Sequence, residues 1–415
     1  MAYITCNIMS RWCRRLVIDL PDAENILPNQ CDQNFKELIK KSISSIDPFG
    51  DFRFDKIDDK KVDQILVIGN HEKTYSKPTV WIDANGWIAG CGTESNKSKF
   101  ANNEHSHNPI GPSFASCLGV AQIFQQFVDG STNTEYQKWL SLFDFKTGDP
   151  SRLQNPDFFA DFDYGTIYQI GCGAVGSSLD TLISLTNWKI NLGLIDHDVV
   201  SYTNCNRSLP FSPYDALQKK FKVDVCSNVL QNNNRSIFTI PKTYYEFTGD
   251  GLFQKLRPDL ILSLANEYNV WSTIQDNYPP IVIHAATTQN WGVNLGRHIP
   301  NSEWCIMCTF SKFLNNSYRP RCDTGKITSE NSTPIFGVLP FLSPAAATLV
   351  LAELSKLPFE NYPINSNFID FSIKSPFNFL LSQRRPKKEC MCSEQKPGIY
   401  DVLRGDSKFW RFCEC

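Results

Sequence analysis

Two rhythms of apolar positions organise this 415-residue chain. Short, nearly continuous apolar runs read as buried strands. They are QILVIGN (64–70), TIYQIG (166–171), KINLGLID (189–196), DLILSLA (259–265) and PIVIHAA (280–286). PTVWIDANGWIAGCG (78–92) reads as strand, Asn-Gly turn, strand. Helical spacing marks SFASCLGVAQIFQQFV (113–128) and FGVLPFLSPAAATLVLAELSKL (336–357), which begins as an apolar entry. FKTGDPSRLQNPDFF (145–159) carries Gly and Pro and reads as a linker. Between 160 and 300, strands alternate with helical segments. That is the pattern of an α/β fold with a mostly parallel, doubly wound sheet.

One strand ends in an unusual way. IYQIGCGAVGSS (167–178) breaks from apolar residues into Gly171, Gly173 and Gly176, spaced G-x-G-x-x-G. Leu179, Leu182, Ile183 and Leu185 then follow near helical spacing. Strand, glycine turn and helix form the context in which this pattern cradles phosphate. Backbone must approach the anion closely, and the helix N-terminus offers it free N–H groups. An ordinary surface turn is the competing reading.

Composition narrows the class. Hydrophobic residues make up 41% and charged residues 20%, as in ordinary globular proteins. A net charge of −2 gives no footprint for nucleic acid or a membrane surface. No run reaches transmembrane length, and MAYITCNIMSRWCRRLV lacks the apolar stretch of a signal peptide. Fifteen cysteines then favour reduced thiols, some used for metal or catalysis, over a disulfide framework. The expected location is the cytoplasm.

Asp196 stands twenty residues after Gly176, where a carboxylate can take ribose hydroxyls. That alone would suit a nicotinamide dehydrogenase. Asp198, Asn204, Arg207 and Lys220 follow, and two cations with an amide suit a triphosphate attacked at its α-phosphorus. In these residues, taken in order and spacing, the chain resembles the ThiF/MoeB and ubiquitin-activating enzyme superfamily. The resemblance implies a Rossmann-like adenylation domain over 160–357 that adenylates the C-terminal glycine of a ubiquitin-like protein. It implies ATP and Mg²⁺. Gly171, Gly173 and Gly176 would cradle the nucleotide, Asp196 would hold ribose, and Asn204, Arg207 and Lys220 would hold phosphates. In PDLILSLANE (258–267), Asn266 aligns with the family's magnesium-linked aspartate. An amide oxygen can coordinate but brings no charge. Asp198 or Glu267 would compensate, or the chain is a pseudoenzyme.

The cysteines suggest two chemistries. Cys305 and Cys308 form C-x-x-C, and Cys390 and Cys392 form C-x-C. Two such pairs brought together suit tetrahedral Zn²⁺, and the resemblance strengthens this reading. Cys413 and Cys415 are rival ligands. Cys322 stands alone in SYRPRCDTGKITSENSTP. The resemblance makes 309–335 a crossover loop and Cys322 its thioester-forming nucleophile, with Arg319 and Arg321 favouring the thiolate.

Residues 1–145 read as a degenerate, inactive adenylation-like α/β partner domain, since Gly69 alone cannot cradle phosphate. Arg11, Arg14 and Arg15 are candidates for an arginine donated to the site. Residues 358–415 complete the zinc site and form a tail. The resulting expectation is a ubiquitin-like protein activating enzyme that adenylates, forms a thioester and passes it to a conjugating enzyme. The layout resembles that of activators in bacterial antiviral ubiquitin-like conjugation operons. A sulfur-carrier adenylyltransferase for thiolation or cofactor synthesis and a weakly catalytic ubiquitin-like-binding scaffold stand as alternatives. Oligomeric state, a homodimer included, is left open.

Overall fold

The computed structural model describes residues 1–21, 34–69, 73–93, 107–130, 136–250, 257–310, 326–327, 335–336, 339–360, 362, 366–374, 377–394, 398–399, 408–409 and 412. Among these, an eight-stranded sheet is the frame. Its strands are β7 (Asp163–Ile170), β8 (Lys189–Ile195), β9 (Arg235–Ile240), β10 (Leu260–Ser263), β11 (Ile281–Thr288), β12 (Gly292–His298), β15 (Phe368–Ser372) and β16 (Asn378–Ser382). The spatial order is β16-β15-β12-β11-β10-β7-β8-β9. β9, β8, β7, β10 and β11 run parallel, and β12, β15 and β16 add antiparallel strands. Ile167 pairs with Leu260 on one side and with Leu192 on the other, so the apolar runs form the centre of the sheet. The mostly parallel, Rossmann-like reading is met. β9 (RSIFTI) forms an edge of the sheet, mixes polar with apolar residues and follows a polar Asn tract, so its apolar signal is weak.

The N-terminal region builds a smaller sheet from β3 (Ile65–Ile68), β4 (Thr79–Asn85), β5 (Ile88–Thr93) and β6 (Gln137–Ser141), in that order. Only β3 and β4 are parallel. A separate parallel pair joins β1 (Arg15–Val17) to β2 (Asp51–Arg53). The remaining short pair is β13 (Lys326–Ile327) with β14 (Ile335–Phe336). Helix α1 (Ala2–Met9) and α2 (Phe35–Ile46) flank this region, and α3 (Ile110–Asp129) packs on the small sheet.

The two sheets share one hydrophobic core. The helix Leu342–Leu354 is buried along its whole length and packs against α3 on one side and β11 and β12 on the other. Aromatic rings cross between the regions. Phe114 meets Phe371 at 5.1 Å, and Phe124 meets Trp291 at 5.6 Å. Segment 145–159 differs from a free linker. Pro156 O accepts from Trp87 Nε1 at 3.0 Å, Asn155 Oδ1 from Trp87 N at 2.9 Å, and Gln154 O from Ser141 Oγ at 2.6 Å. Gly and Pro there shape a strap that the small sheet needs to satisfy buried donors. No helix among the described residues is long and apolar enough to cross a membrane.

Candidate functional site

The C-terminal ends of the parallel strands open onto one cavity of ≈ 200 Å³. This is where an open α/β sheet binds its ligand. Behind β7 the three glycines differ in what they do. Gly171 has φ of +100°, and a Cβ there would lie 2.7 Å from Ala265 N. A Cβ on Gly176 would lie 2.1 Å from Gly171 O, so that residue lets helix α4 (Ala174–Ile183) close on the turn. Gly173 caps α4 with no side-chain bond, and a Cβ added there meets nothing within 4 Å. The loop therefore presents open space and free helical N–H groups to the cavity, a cradle for an anion.

Asp196, at the end of β8, is fixed by backbone. Its Oδ2 accepts from Cys172 N at 2.7 Å and its Oδ1 from Asp198 N at 2.9 Å. The carboxylate is thereby aimed into the cavity that it lines. Asp198, Arg207 and Asn266 also line it. The Arg207 guanidinium donates to Thr203 O at 2.7 Å.

The structure separates two lysines that lie close in sequence. Lys220 does not line the cavity. Its Nζ lies 2.8 Å from Asp215 Oδ1 and 5.0 Å from the centre of the Tyr214 ring. The Asp215 partner raises its pKa above the usual lysine value. Lys222 does line the cavity, with Nζ 2.6 Å from Asp198 Oδ2 and a largely buried side chain. Sequence reading assigns a phosphate role to Lys220; the structure places Lys222, two residues on, in the cavity lining. Lys222 opens helix α6 (Lys222–Leu230), and Cys226 and Leu230 stand four and eight residues on, both buried. That i, i+4, i+8 face was the available signal. Asn204 also stands outside the cavity lining. Its Oδ1 accepts from Ser201 N at 3.0 Å and from Ser201 Oγ at 2.9 Å, closing the turn that presents Arg207.

Arg11 reaches this same loop from the N-terminal region. Its guanidinium donates to the carbonyls of Cys205 and of Leu209, the latter at 2.5 Å. Arg14 instead pairs with Asp47 at 2.9 Å, and Arg15 is exposed on β1.

The four predicted cysteines do meet. Cys305 and Cys308 lie 4.0 Å apart at sulfur, Cys305 and Cys390 3.6 Å, and Cys308 and Cys392 3.5 Å. All four are buried beside Trp271 and Trp304. Tetrahedral Zn–S bonds would set such separations at about 3.8 Å. The cluster could hold a metal ion. Cys322, Arg319, Arg321, Cys413 and Cys415 lie outside the described residues, as does most of 309–335.

Among solved structures, E. coli MccB with selenomethionine MccA is 17% identical at a TM-score of 0.40, covering 55% of this chain and 66% of that one. E. coli MccB with ATP is 16% identical at 0.40, covering 75% and 96%. Selenomethionine PaaA is 16% identical at 0.36, covering 53% and 64%. The chain thus spans just under two thirds of the first and the third of these. Likenesses of this degree say nothing of ligand or activity. No curated protein matches. The ThiF family, however, matches residues 165–392, which take in the glycine loop, the cavity and all four clustered cysteines. With more than half its length matched, the chain belongs to the ThiF family.

Proposed function

We propose that this chain is an ATP-dependent enzyme that adenylates the C-terminal carboxylate of a ubiquitin-like protein. One observation carries the reading. A glycine cradle open at Gly173 shares a cavity with two cations, Arg207 and Lys222, and with Asp196, a carboxylate already aimed by backbone. Asp196 suits ribose hydroxyls, and the cations suit a triphosphate whose charge must be neutralised during attack. The partner's carboxylate oxygen would attack the α-phosphorus. The bond from that phosphorus to the bridging oxygen breaks, and pyrophosphate leaves with the electron pair. Arg207 and Lys222 would hold the phosphate oxygens as charge shifts onto the leaving group.

Magnesium suits the oxygen donors at this end. Asp196, His197 and Asp198 offer donor atoms within 4.8 Å of one another, and Asn266 adds an amide carbonyl. Bound there, it would supply positive charge to the triphosphate. Zinc suits Cys305, Cys308, Cys390 and Cys392. Four thiolates leave no open position, so that metal would be structural and would pin residues 387–394 to the adenylation fold. In the second half-reaction the thiolate of Cys322 would attack the acyl carbon, the bond to the adenylate oxygen would break, and AMP would leave. The thioester would then pass to a conjugating enzyme.

The test is exchange of labelled pyrophosphate into ATP, with ubiquitin-like proteins that end in a free C-terminal glycine as substrates. Exchange that needs both magnesium and the free C-terminus of such a protein supports the reading. ATP binding without exchange favours a non-catalytic scaffold, the alternative suggested by Asn266, which contributes no charge. Robust exchange with no thiol-labile adduct favours a sulfur-carrier adenylyltransferase.

A further inference from the structure

A second thiol cluster lies behind the glycine loop, away from the four clustered cysteines. Cys172 comes from the loop itself, Asp180 from α4 and Cys226 from α6. One donor atom from each falls within 4.8 Å of the others. All three side chains are 0% exposed, as is Gln169 on β7 beside them. From these residues we infer a second metal site, in which Cys172, Cys226 and Asp180 hold a thiophilic divalent cation of the zinc class.

Asp180 is the feature that a merely apolar core does not explain. Among the described residues no cationic side chain pairs with it. Gln169 Nε2 donates to its Oδ2 at 3.0 Å, which fixes the carboxylate. The Cys226 thiol is the carboxylate's other hydrogen-bond partner, while Gln169 Oε1 has none. A buried carboxylate held only by an amide and a thiol costs several kcal/mol unless it is protonated or neutralised by a cation. Burial pushes Asp180 up to about 7 and raises both thiols. A divalent cation would displace the two thiol protons, and the carboxyl proton where present, and would meet two thiolates and one carboxylate oxygen. Gln169 would then be the outer partner that orients a ligating carboxylate, as such partners do in metal sites.

The position gives the ion a purpose. Cys172 N is the donor that fixes Asp196, and Cys226 lies one turn beyond Lys222 on the same helix. A metal between the two sulfurs would lock the distance from the phosphate cradle to Lys222. The site is structural and independent of which polypeptide the enzyme activates.

Metal content of the full-length protein tests this. The protein is expressed in zinc-supplemented medium, purified without chelator, and measured for zinc per chain. Two zinc ions are expected in the unaltered protein, one in Cys226→Ser and one in Cys305→Ser. One zinc in the unaltered protein, unchanged by Cys226→Ser, overturns the inference. So does a mass two hydrogens lower with Cys172 and Cys226 protected from alkylation, because the pair would then be a disulfide. Should Cys226→Ser not fold, Asp180→Asn keeps shape and the Gln169 contact. Its second zinc should pass to a colorimetric chelator at least about tenfold more readily than in the unaltered protein. Equal release from both proteins overturns the inference as well.

Discussion

Lys222 Nζ lies 2.6 Å from Asp198 Oδ2, and Lys222 N donates to Asp198 O at 3.0 Å. Side chain and backbone thus tie the start of α6 to the strand end that carries Asp196. The pair keeps a lysine charge in the cavity before any ligand arrives, so little reorganisation is needed when phosphates bind. Lys222→Ala should lower pyrophosphate exchange by about two to three orders of magnitude. Lys220→Ala should change it by less than about tenfold, since its ammonium is held on Asp215 outside the cavity lining. The reverse ranking would return the phosphate role to Lys220.

Arg11 should act as a positioning residue. Its guanidinium holds the carbonyls of Cys205 and Leu209, and its Nε donates to Asn7 Oδ1 at 3.1 Å. Asn7 Nδ2 in turn donates to Leu209 O at 3.2 Å. Together they brace the loop that presents Arg207. Arg11→Ala should cost about 2–3 kcal/mol of stability, the scale of lost hydrogen bonds to a charged group. It should also raise the KM for ATP more than it lowers kcat. Arg11→Lys, with a single ammonium, should restore the charge but not the KM. A kcat loss with unchanged KM would mean that Arg11 acts on the chemistry instead.

The four-cysteine cluster predicts its own metal dependence. Cys390→Ser should release zinc and expose residues 387–394 to limited proteolysis, because Cys308 Sγ also accepts from Lys387 N at 3.5 Å. Cys413→Ser should keep the metal. Metal loss in Cys413→Ser with retention in Cys390→Ser would exchange the ligands.

Much of this site is legible from sequence because its chemistry is written in backbone. Gly171 and Gly176 are demanded by close approach, Gly173 leaves the cradle open, and the spacing of the three shows without any partner. Cys305, Cys308, Cys390 and Cys392 are legible for a similar reason, since paired thiols announce themselves by local spacing. Choosing between Lys220 and Lys222 is harder. The two share charge, length and neighbourhood, and the difference is that Lys222 opens α6 while Lys220 lies in the segment before it. Arg11 is harder still. Its partners are carbonyl groups some two hundred residues away, and carbonyls leave no trace in a sequence. The strap at 145–159 hides in the same way, since its contacts run through Gln154 O and Pro156 O.

Acid should find a weak point at His284. This residue sits on β11 opposite Gly296, where a Cβ would come 2.1 Å from its Nε2. That nitrogen has no hydrogen-bond partner, and the ring meets Trp304 edge-on at 5.4 Å. Burial, aided by Arg384 and His298, lowers the pKa to about 3. A histidine with a lowered folded value binds fewer protons folded than unfolded. Its contribution is therefore intact above about pH 6.5 and is lost as pH falls toward 3. At pH 5 the loss from this one group is about 2 kcal/mol. His284→Leu should remove that part of the loss. Denaturant unfolding at pH 7.5 and pH 5 should show the variant losing about 2 kcal/mol less than the unaltered protein across the interval, whatever its starting stability. Equal losses in both proteins would mean that His284 finds water or a proton partner in the folded state.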